Sequence, residues 1–228
     1  MLTVALIPLR GGSKSIPNKN IKEFCGRPLC AWVLESAINT ALIDEVYVST
    51  DSVEIKEVVH ALDLKIKVLD RPQKYATDEA STESVILHFM EQVPFNRLVT
   101  IQATSPLLSE HHLDRGLRQF EQQALDSMLS AVRSKRFYWN DDGTPINYDP
   151  LHRPRRQEFK GTFVENGAFY ITSKEILLRH GCRLGGRTGI YEMPEDTAVE
   201  LDELRDWEQV SCCLIYTSDA ADEEDSVD

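Results

Sequence analysis

Positions 9 to 20 read Leu9-Arg10-Gly11-Gly12-Ser13-Lys14-Ser15-Ile16-Pro17-Asn18-Lys19-Asn20, directly after the apolar run Leu2–Leu9. A Gly-Gly pair after a strand lets backbone N–H groups come close to a phosphate. Arg10, Lys14 and Lys19 bring positive charge to the same short loop, which a polyphosphate needs most where pyrophosphate departs. The GxxxxGK[ST] spacing of a P-loop is absent, and so is the GxGxxG dinucleotide fingerprint, which argues against an NAD-dependent oxidoreductase. Taken alone, the segment also fits a flexible basic surface loop.

Three further groups have chemistry in them. Glu200 and Asp202 are spaced i, i+2, which on a strand puts both carboxylates on one face. Such a pair suits Mg²⁺, a cation that takes oxygen ligands and shares them with substrate phosphates. Glu192, Glu195, Asp196, Glu203 and Asp206 lie nearby, so an ordinary acidic surface is the plainer reading. Arg153, Arg155, Arg156 and Gln157 form the densest basic run in the chain. Arginine forks pair bidentately with carboxylates, although a solvated charge run or a nuclear-localisation patch has the same composition. Gln102 ends an apolar run and offers both a donor and an acceptor, or is a surface residue. The histidines carry less: His111-His112 opens a helix as a solvated cap region, and His60, His88, His152 and His180 show no ligand spacing. No Ser-His-Asp arrangement is indicated.

The elements that must position these residues alternate. Strands are expected at Leu2–Leu9, Glu45–Ser49, Ile66–Leu69, Leu98–Gln102 and Met128–Val132. Helices are expected at Pro28–Asn39, from Val53 to His60, at Ser81–Gln92 and at His111–Gln122, the last with Ser109 as a cap. That alternation predicts an α/β fold, with a mostly parallel sheet between two helical layers. Ligands of such sheets bind outside the carboxyl ends of the strands, where the loops after Leu9, Ser49 and Gln102 fall. Phe137–Lys160 is rich in Arg, Asn, Asp and Pro without periodicity and reads as an inserted arm or hairpin. A strand at Ala168–Thr172, a helix near Lys174–His180 and a short strand after Gly185 complete the pattern.

The 228 residues suffice for one such domain. A net charge of −12 argues against nucleic acid or an anionic membrane as the main partner. No apolar stretch approaches the roughly 20 residues of a membrane span, and no charged segment precedes the first apolar run as in a signal peptide. Cys25, Cys30, Cys182, Cys212 and Cys213 are odd in number and lack a CxxC pair, so free thiols in a reducing cytoplasm are expected. Residues 211–228 form an acidic tail that shares no pattern with the preceding helix. Its stretch Cys212–Glu223 resembles translated sequencing-adapter DNA, the other reading being a disordered acidic tail.

Arg10-Gly11-Gly12-Ser13-Lys14 with Ile16-Pro17 and Lys19-Asn20 resembles the opening signature of the N-acylneuraminate cytidylyltransferases. The resemblance continues through Val48-Ser49-Thr50-Asp51, Arg71-Pro72, Ala80-Ser81-Thr82 and Ile101-Gln102-Ala103-Thr104-Ser105-Pro106. It ends with Arg153-Pro154-Arg155-Arg156-Gln157, Glu165-Asn166-Gly167-Ala168-Phe169-Tyr170 and Glu200-Leu201-Asp202, and so covers about residues 3–210 in order. It implies a three-layer α/β/α, Rossmann-like nucleotide-diphospho-sugar transferase domain over residues 1–210. An arm at about 134–165 would reach across a homodimer. It also implies that CMP from CTP is joined to a nine-carbon acidic sugar, with pyrophosphate released; the absence of a targeting signal and the need for CTP point to the cytoplasm.

By the same resemblance, Arg10, Gly11, Gly12, Ser13, Lys14, Lys19 and Asn20 hold the CTP phosphates, and Arg71, Thr82 and Gln102 contact the nucleotide. Gln102, Ser105, Arg153, Arg156, Gln157 and Asn166 contact the sugar. Arg10, Lys14, Arg155, Arg156 and Asp202 serve catalysis, and Glu200 and Asp202 bind Mg²⁺. The chain departs from the family at Ala80 or Thr82, where a serine is common and of which only Thr82 keeps a hydroxyl, and at Glu200, the first position of an Asp-x-Asp pair. The alternatives are the same chemistry on legionaminate, pseudaminate or 3-deoxy-manno-octulosonate, and a non-catalytic nucleotide-sugar binding protein.

Overall fold

β1 (Thr3–Pro8) is apolar on both sides. Val4 and Leu6 pack with Ile86, Phe89 and Leu98, whereas Ala5 and Ile7 pack with Val33, Leu34 and Ile101. Successive strand side chains point to opposite faces, so a strand apolar on both faces has to lie mid-sheet with helices on both sides. The computed structural model, which describes residues 1–203, 205–208 and 210–211, has this arrangement. The expected adapter-like stretch from Cys212 lies outside the described residues.

After β1 come a two-stranded ribbon, β2 (Glu23–Phe24) and β3 (Arg27–Pro28), then α1 (Leu29–Asn39), β4 (Glu45–Thr50), α2 (Val53–Ala61) and β5 (Ile66–Asp70). The chain continues through α3 (Thr82–Met90), β6 (Arg97–Ile101), α4 (Glu110–Gln122), β7 (Ser127–Ser134), β8 (Thr162–Ser173), α5 (Lys174–His180) and β9 (Thr188–Met193). The seven-stranded sheet has the order β5-β4-β1-β6-β8-β7-β9. Pairing is parallel in β1/β4, β1/β6, β4/β5 and β7/β9, and antiparallel where β8 meets β6 and β7. Helices α1, α2 and α4 cover one face and α3 and α5 the other. A fully buried residue such as Phe89 or Leu6 contributes about 1.5–3 kcal/mol.

The expected strands and helices up to β7 all form, with ends displaced by a residue or two. Ser52 and Ser81 cap α2 and α3, accepting from Ile55 N–H at 3.3 Å and Ser84 N–H at 3.2 Å. At α4 the expected solvated cap is corrected. His112 is partly buried, its Nδ1 accepts from Ser109 N–H at 3.3 Å, and burial lowers its pKa. Only His111 is solvated. Cys30 is a buried thiol in α1, pushed up to about 12 by desolvation.

β8 begins at Thr162, well before the expected Ala168. Its first half pairs only with β7, through Thr162↔Ser134 to Glu165↔Ala131, and is partly exposed, so it lacks the apolar run that marks the second half. The register then shifts: Glu165 faces Ala131 but Tyr170 faces Leu129. Residues 166–169 bulge out, with Phe169 N–H donating to Ser130 Oγ at 3.0 Å and Gly167 at φ +66°.

The arm folds on itself. Ile146 N–H donates to Tyr138 O at 2.9 Å and Asn140 N–H to Thr144 O at 2.8 Å, closing a hairpin through Gly143 at φ +81°. Phe137 packs against Tyr148 at 4.2 Å and Phe159 at 5.0 Å, while Trp139, Ile146 and Leu151 stay exposed.

Candidate active site

Because β1, β4, β5 and β6 run parallel, the loops that follow them open at one edge of the sheet. The path β1-β4-β5 moves outward on one side, and β6 then returns to the other side of β1. Order reverses there, which is where open α/β sheets hold ligands. A cavity of about 500 Å³ occupies that edge.

Its basic wall comes from loops far apart in sequence. Arg10, Ser13, Lys14, Lys19 and Asn20 line it from the β1 loop, and Arg71 lines it from the end of β5. Asn20 is buried, and its Nδ2 donates to the Arg10 carbonyl at 2.9 Å, which folds the loop back on itself. Arg71 is only 7% exposed. Its Nε donates to Ser49 Oγ at 3.1 Å and an Nη donates to the Ser49 carbonyl. Burial pulls this guanidinium down to about 10, with Asp51 opposing and Arg10 adding, so it remains a cation at neutral pH.

The acidic wall is Glu200 and Asp202. They do not sit on a strand. Asp202 N–H donates to the Glu200 carbonyl at 3.0 Å, a tight turn about Leu201. Leu201 is fully buried with Phe24, Leu29 and Val210, and its N–H donates to Thr104 O at 2.9 Å. Anchoring the middle residue brings both flanking carboxylates to the cavity. Asp202 Oδ1 pairs with Lys19 Nζ at 3.0 Å. Glu200 is half-buried; burial raises its carboxyl above the usual range, Asp202 adds to the rise and Lys19 opposes it. A Cβ on Gly167 would stand 2.7 Å from Glu200 Oε1, so the β8 bulge leaves room for this side chain.

Between the walls lie Thr82, at the start of α3, and Gln102, just past β6, whose N–H donates to the Ala168 carbonyl at 3.1 Å. Ala80 adds only a methyl group.

Several expected residues are not brought to the cavity. Gly11 N–H donates to Asp51 Oδ1 at 3.0 Å, and a Cβ on Gly11 would come within 3.0 Å of Ser52 Cβ, so this glycine serves loop packing. Gly12 has open space about it. Ser105 is buried, and its Oγ has no hydrogen-bond partner. Asn166 is 1% exposed, with Nδ2 donating to Thr197 O and Oγ1 at 3.2 Å and Oδ1 left unpaired. Arg153, Arg155, Arg156 and Gln157 are all exposed on the arm, away from the cavity. Arg153 stacks over Phe137 at 4.5 Å, and Arg156 lines a small cleft with Arg133, Lys135 and Glu192.

Sequence reasoning missed Asp78 and gave Asp51 no role. Asp78 lines the cavity, and its carboxylate takes both Arg10 and Lys14. The available signal was positional: both aspartates follow strands whose carboxyl ends face the cavity.

A family model described as cytidylyltransferase matches residues 4–219. N-acylneuraminate cytidylyltransferase A of Danio rerio is 39% identical over 211 residues, 89% of this chain and 48% of that protein. A pseudaminic acid cytidylyltransferase of Campylobacter jejuni is 28% identical over 219 residues, 91% of this chain and 94% of that protein. The chain thus spans about half the length of the fish relative and nearly all of the bacterial one. Among solved structures, a CMP:2-keto-3-deoxy-manno-octonic acid synthetase complexed with CTP superposes with a TM-score of 0.71 at 18% identity, covering 95% of this chain and all of that one. A 4-diphosphocytidyl-2C-methyl-D-erythritol synthase from Anaerococcus prevotii gives 0.67 at 13% identity, covering 93% and 96%. These two likenesses speak for the fold, an α/β Rossmann-like arrangement, and with the family match over nearly the whole sequence they place this chain in the cytidylyltransferase family.

Proposed function

We propose that this chain joins CMP from CTP to an acidic sugar of the N-acylneuraminate type and releases pyrophosphate. The observation that carries the reading is the cavity at the switch point, where Arg10, Lys14, Lys19 and Arg71 face Glu200 and Asp202. In the reaction, the anomeric hydroxyl oxygen attacks the α-phosphorus of CTP in line, its proton passes to water, and the bond from the α-phosphorus to the bridging oxygen breaks, that oxygen leaving with the pyrophosphate. Arg10 and Lys14 offset charge on the departing pyrophosphate, and Arg71, fixed by Ser49, holds the nucleotide. No protein nucleophile takes part.

The carboxylates fit a divalent cation of the Mg²⁺ kind. Glu200 is half-buried beside the like charge of Asp202, an arrangement a cation relieves. Two carboxylates suit an ion that takes its other ligands from phosphate and water. Bound there, it would polarise phosphate oxygens.

The exposed arm, with Trp139, Ile146 and Leu151 on its surface, supports a homodimer in which Arg155, Arg156 and Gln157 serve the neighbouring chain's sugar subsite. Among the described residues no helix is long and apolar enough to cross a membrane; the need for CTP favours the cytoplasm. The test is pyrophosphate release from CTP with N-acetylneuraminate, with and without Mg²⁺. Release that needs sugar and metal together is expected. Release only with pseudaminate or 3-deoxy-manno-octulosonate would move the sugar assignment, and CTP binding without release would turn the protein into a binding module.

A further inference from the structure

Three charged side chains from two loops meet at the mouth of the cavity. Arg10 Nη1 lies 2.8 Å from Asp78 Oδ1, and Lys14 Nζ lies 2.7 Å from Asp78 Oδ2. Each carboxylate oxygen therefore holds one cation. Arg10 also donates to the Thr77 carbonyl at 3.4 Å. Lys14 is 79% exposed, and Asp78 is its only ion-pair partner among the described residues. The two cations pull the Asp78 carboxyl below its ordinary value, Lys14 more than Arg10.

A carboxylate bridging two phosphate-binding cations occupies the positions a phosphate's oxygens would take. It holds the cations together, because without it two like charges on one loop repel. It also opposes any anion that arrives. An exposed pair of this kind is weak and exchanges readily. We propose that Asp78 is a resident counter-anion of the phosphate subsite. It orders Arg10 and Lys14 in the free protein, yields them to the nucleotide's phosphates, and takes them back as pyrophosphate leaves. Asp78 is thus a positioning residue that weakens polyphosphate binding in exchange for faster turnover. The inference rests on the polyphosphate reading of the cavity.

The experiment is calorimetric titration of the full chain with inorganic pyrophosphate, without added metal, at two salt concentrations, for the parent, Asp78→Asn and Asp78→Glu. Removing one negative charge beside a polyanion is expected to tighten pyrophosphate binding about tenfold and to steepen its salt dependence. Asp78→Glu should stay close to the parent. In turnover, Asp78→Asn should lower both the KM for CTP and the inhibition constant of pyrophosphate, with kcat reduced. Should Asp78→Asn fold poorly, Asp78→Ser serves the same comparison. Unchanged or weaker pyrophosphate binding would overturn the proposal, even if the enzyme turns over. Tighter binding in a chain that releases no pyrophosphate with any sugar would support Asp78's role and sink the transfer reaction instead.

Discussion

The chain has two basic regions, and they differ in what holds them. The cavity cations come from the β1 loop and the end of β5, and each is held by a group distant from it in sequence: Arg10 and Lys14 by Asp78, Lys19 by Asp202, Arg71 by Ser49 of β4. The arm arginines are adjacent in sequence and exposed, and Arg153 is spent on the arm's own aromatics. Density in sequence is therefore not enough to make a site. Convergence makes one, and the parallel sheet supplies it by turning four loops toward one edge. The residues assigned to the nucleotide come together within one chain, whereas the basic residues assigned to the sugar stand apart from them.

That contrast breaks first at Arg10. Arg10→Ala should lower kcat/KM for CTP by about 10²–10³, the usual cost of one preorganised electrostatic contact, measured as pyrophosphate release. Arg156→Ala should raise the sugar KM about tenfold, as expected for one charge-assisted contact, and leave the CTP KM in place. Mixing the two impaired variants, assayed at a sugar concentration well below the KM of Arg156→Ala, sharpens the comparison. If arms serve neighbouring chains, mixed dimers regain one intact site and activity returns. Activity no greater than the sum of the two alone would confine the arm arginines to their own chain.

The sequence made much of this legible, unevenly. Strand order could not be read, but alternation of β and α patterns was enough to put the loops after Leu9, Ser49 and Gln102 at one edge, as the structure has them. Arg10, Lys14, Lys19, Arg71, Thr82, Gln102, Glu200 and Asp202 do line one cavity. What was illegible depended on partners distant in sequence. Gly11 looks like a phosphate cradle until Asp51 is seen to accept its N–H. Asn166 looks like a ligand contact until Thr197 is seen to take its amide. Asp78 has no motif of its own; only folding sets it against two cations. The early half of β8 was missed because an edge segment facing one neighbour needs no apolar run.

The two glycine sites give the next test. Gly167 stands at φ +66°, and a Cβ there meets the Glu200 carboxylate at 2.7 Å, whereas Gly12 has open space about it. Gly167→Ala carries left-handed strain of about 1–2 kcal/mol, and the Glu200 carboxylate, the far end of a flexible side chain, has to swing out of its way. Denaturant unfolding should therefore show a loss of roughly 1–2 kcal/mol. Gly12→Ala should change stability by less than about 0.5 kcal/mol. Equal losses at the two positions would mean that the bulge is not what seats Glu200.

The smallest effect expected is the pH dependence of Glu200. Burial, with Asp202 beside it, raises its carboxyl above the ordinary 4.5, so the folded chain binds that proton more tightly than the unfolded chain does. Stability from this group is therefore greatest below the ordinary value and falls as pH rises through the folded one. Asp78 and Glu192 run the other way. Their carboxyls are held low by Lys14, Arg10 and Arg133, and the stability they lend is lost in acid. The parent should thus weaken in acid overall, while the difference between parent and Glu200→Gln isolates the opposite trend. Thermal melts should show Glu200→Gln higher by a few degrees at pH 7 to 8, where the parent carries the buried charge. The gap should narrow towards pH 4 and close below it, where Glu200 is protonated in both states. Added Mg²⁺ should close it from the other side, by stabilising the parent alone at neutral pH, because only the parent keeps both carboxylates for the ion. A gap independent of both pH and Mg²⁺ would show that Glu200 is not held as a strained anion, and the case for a metal at this pair would fall with it.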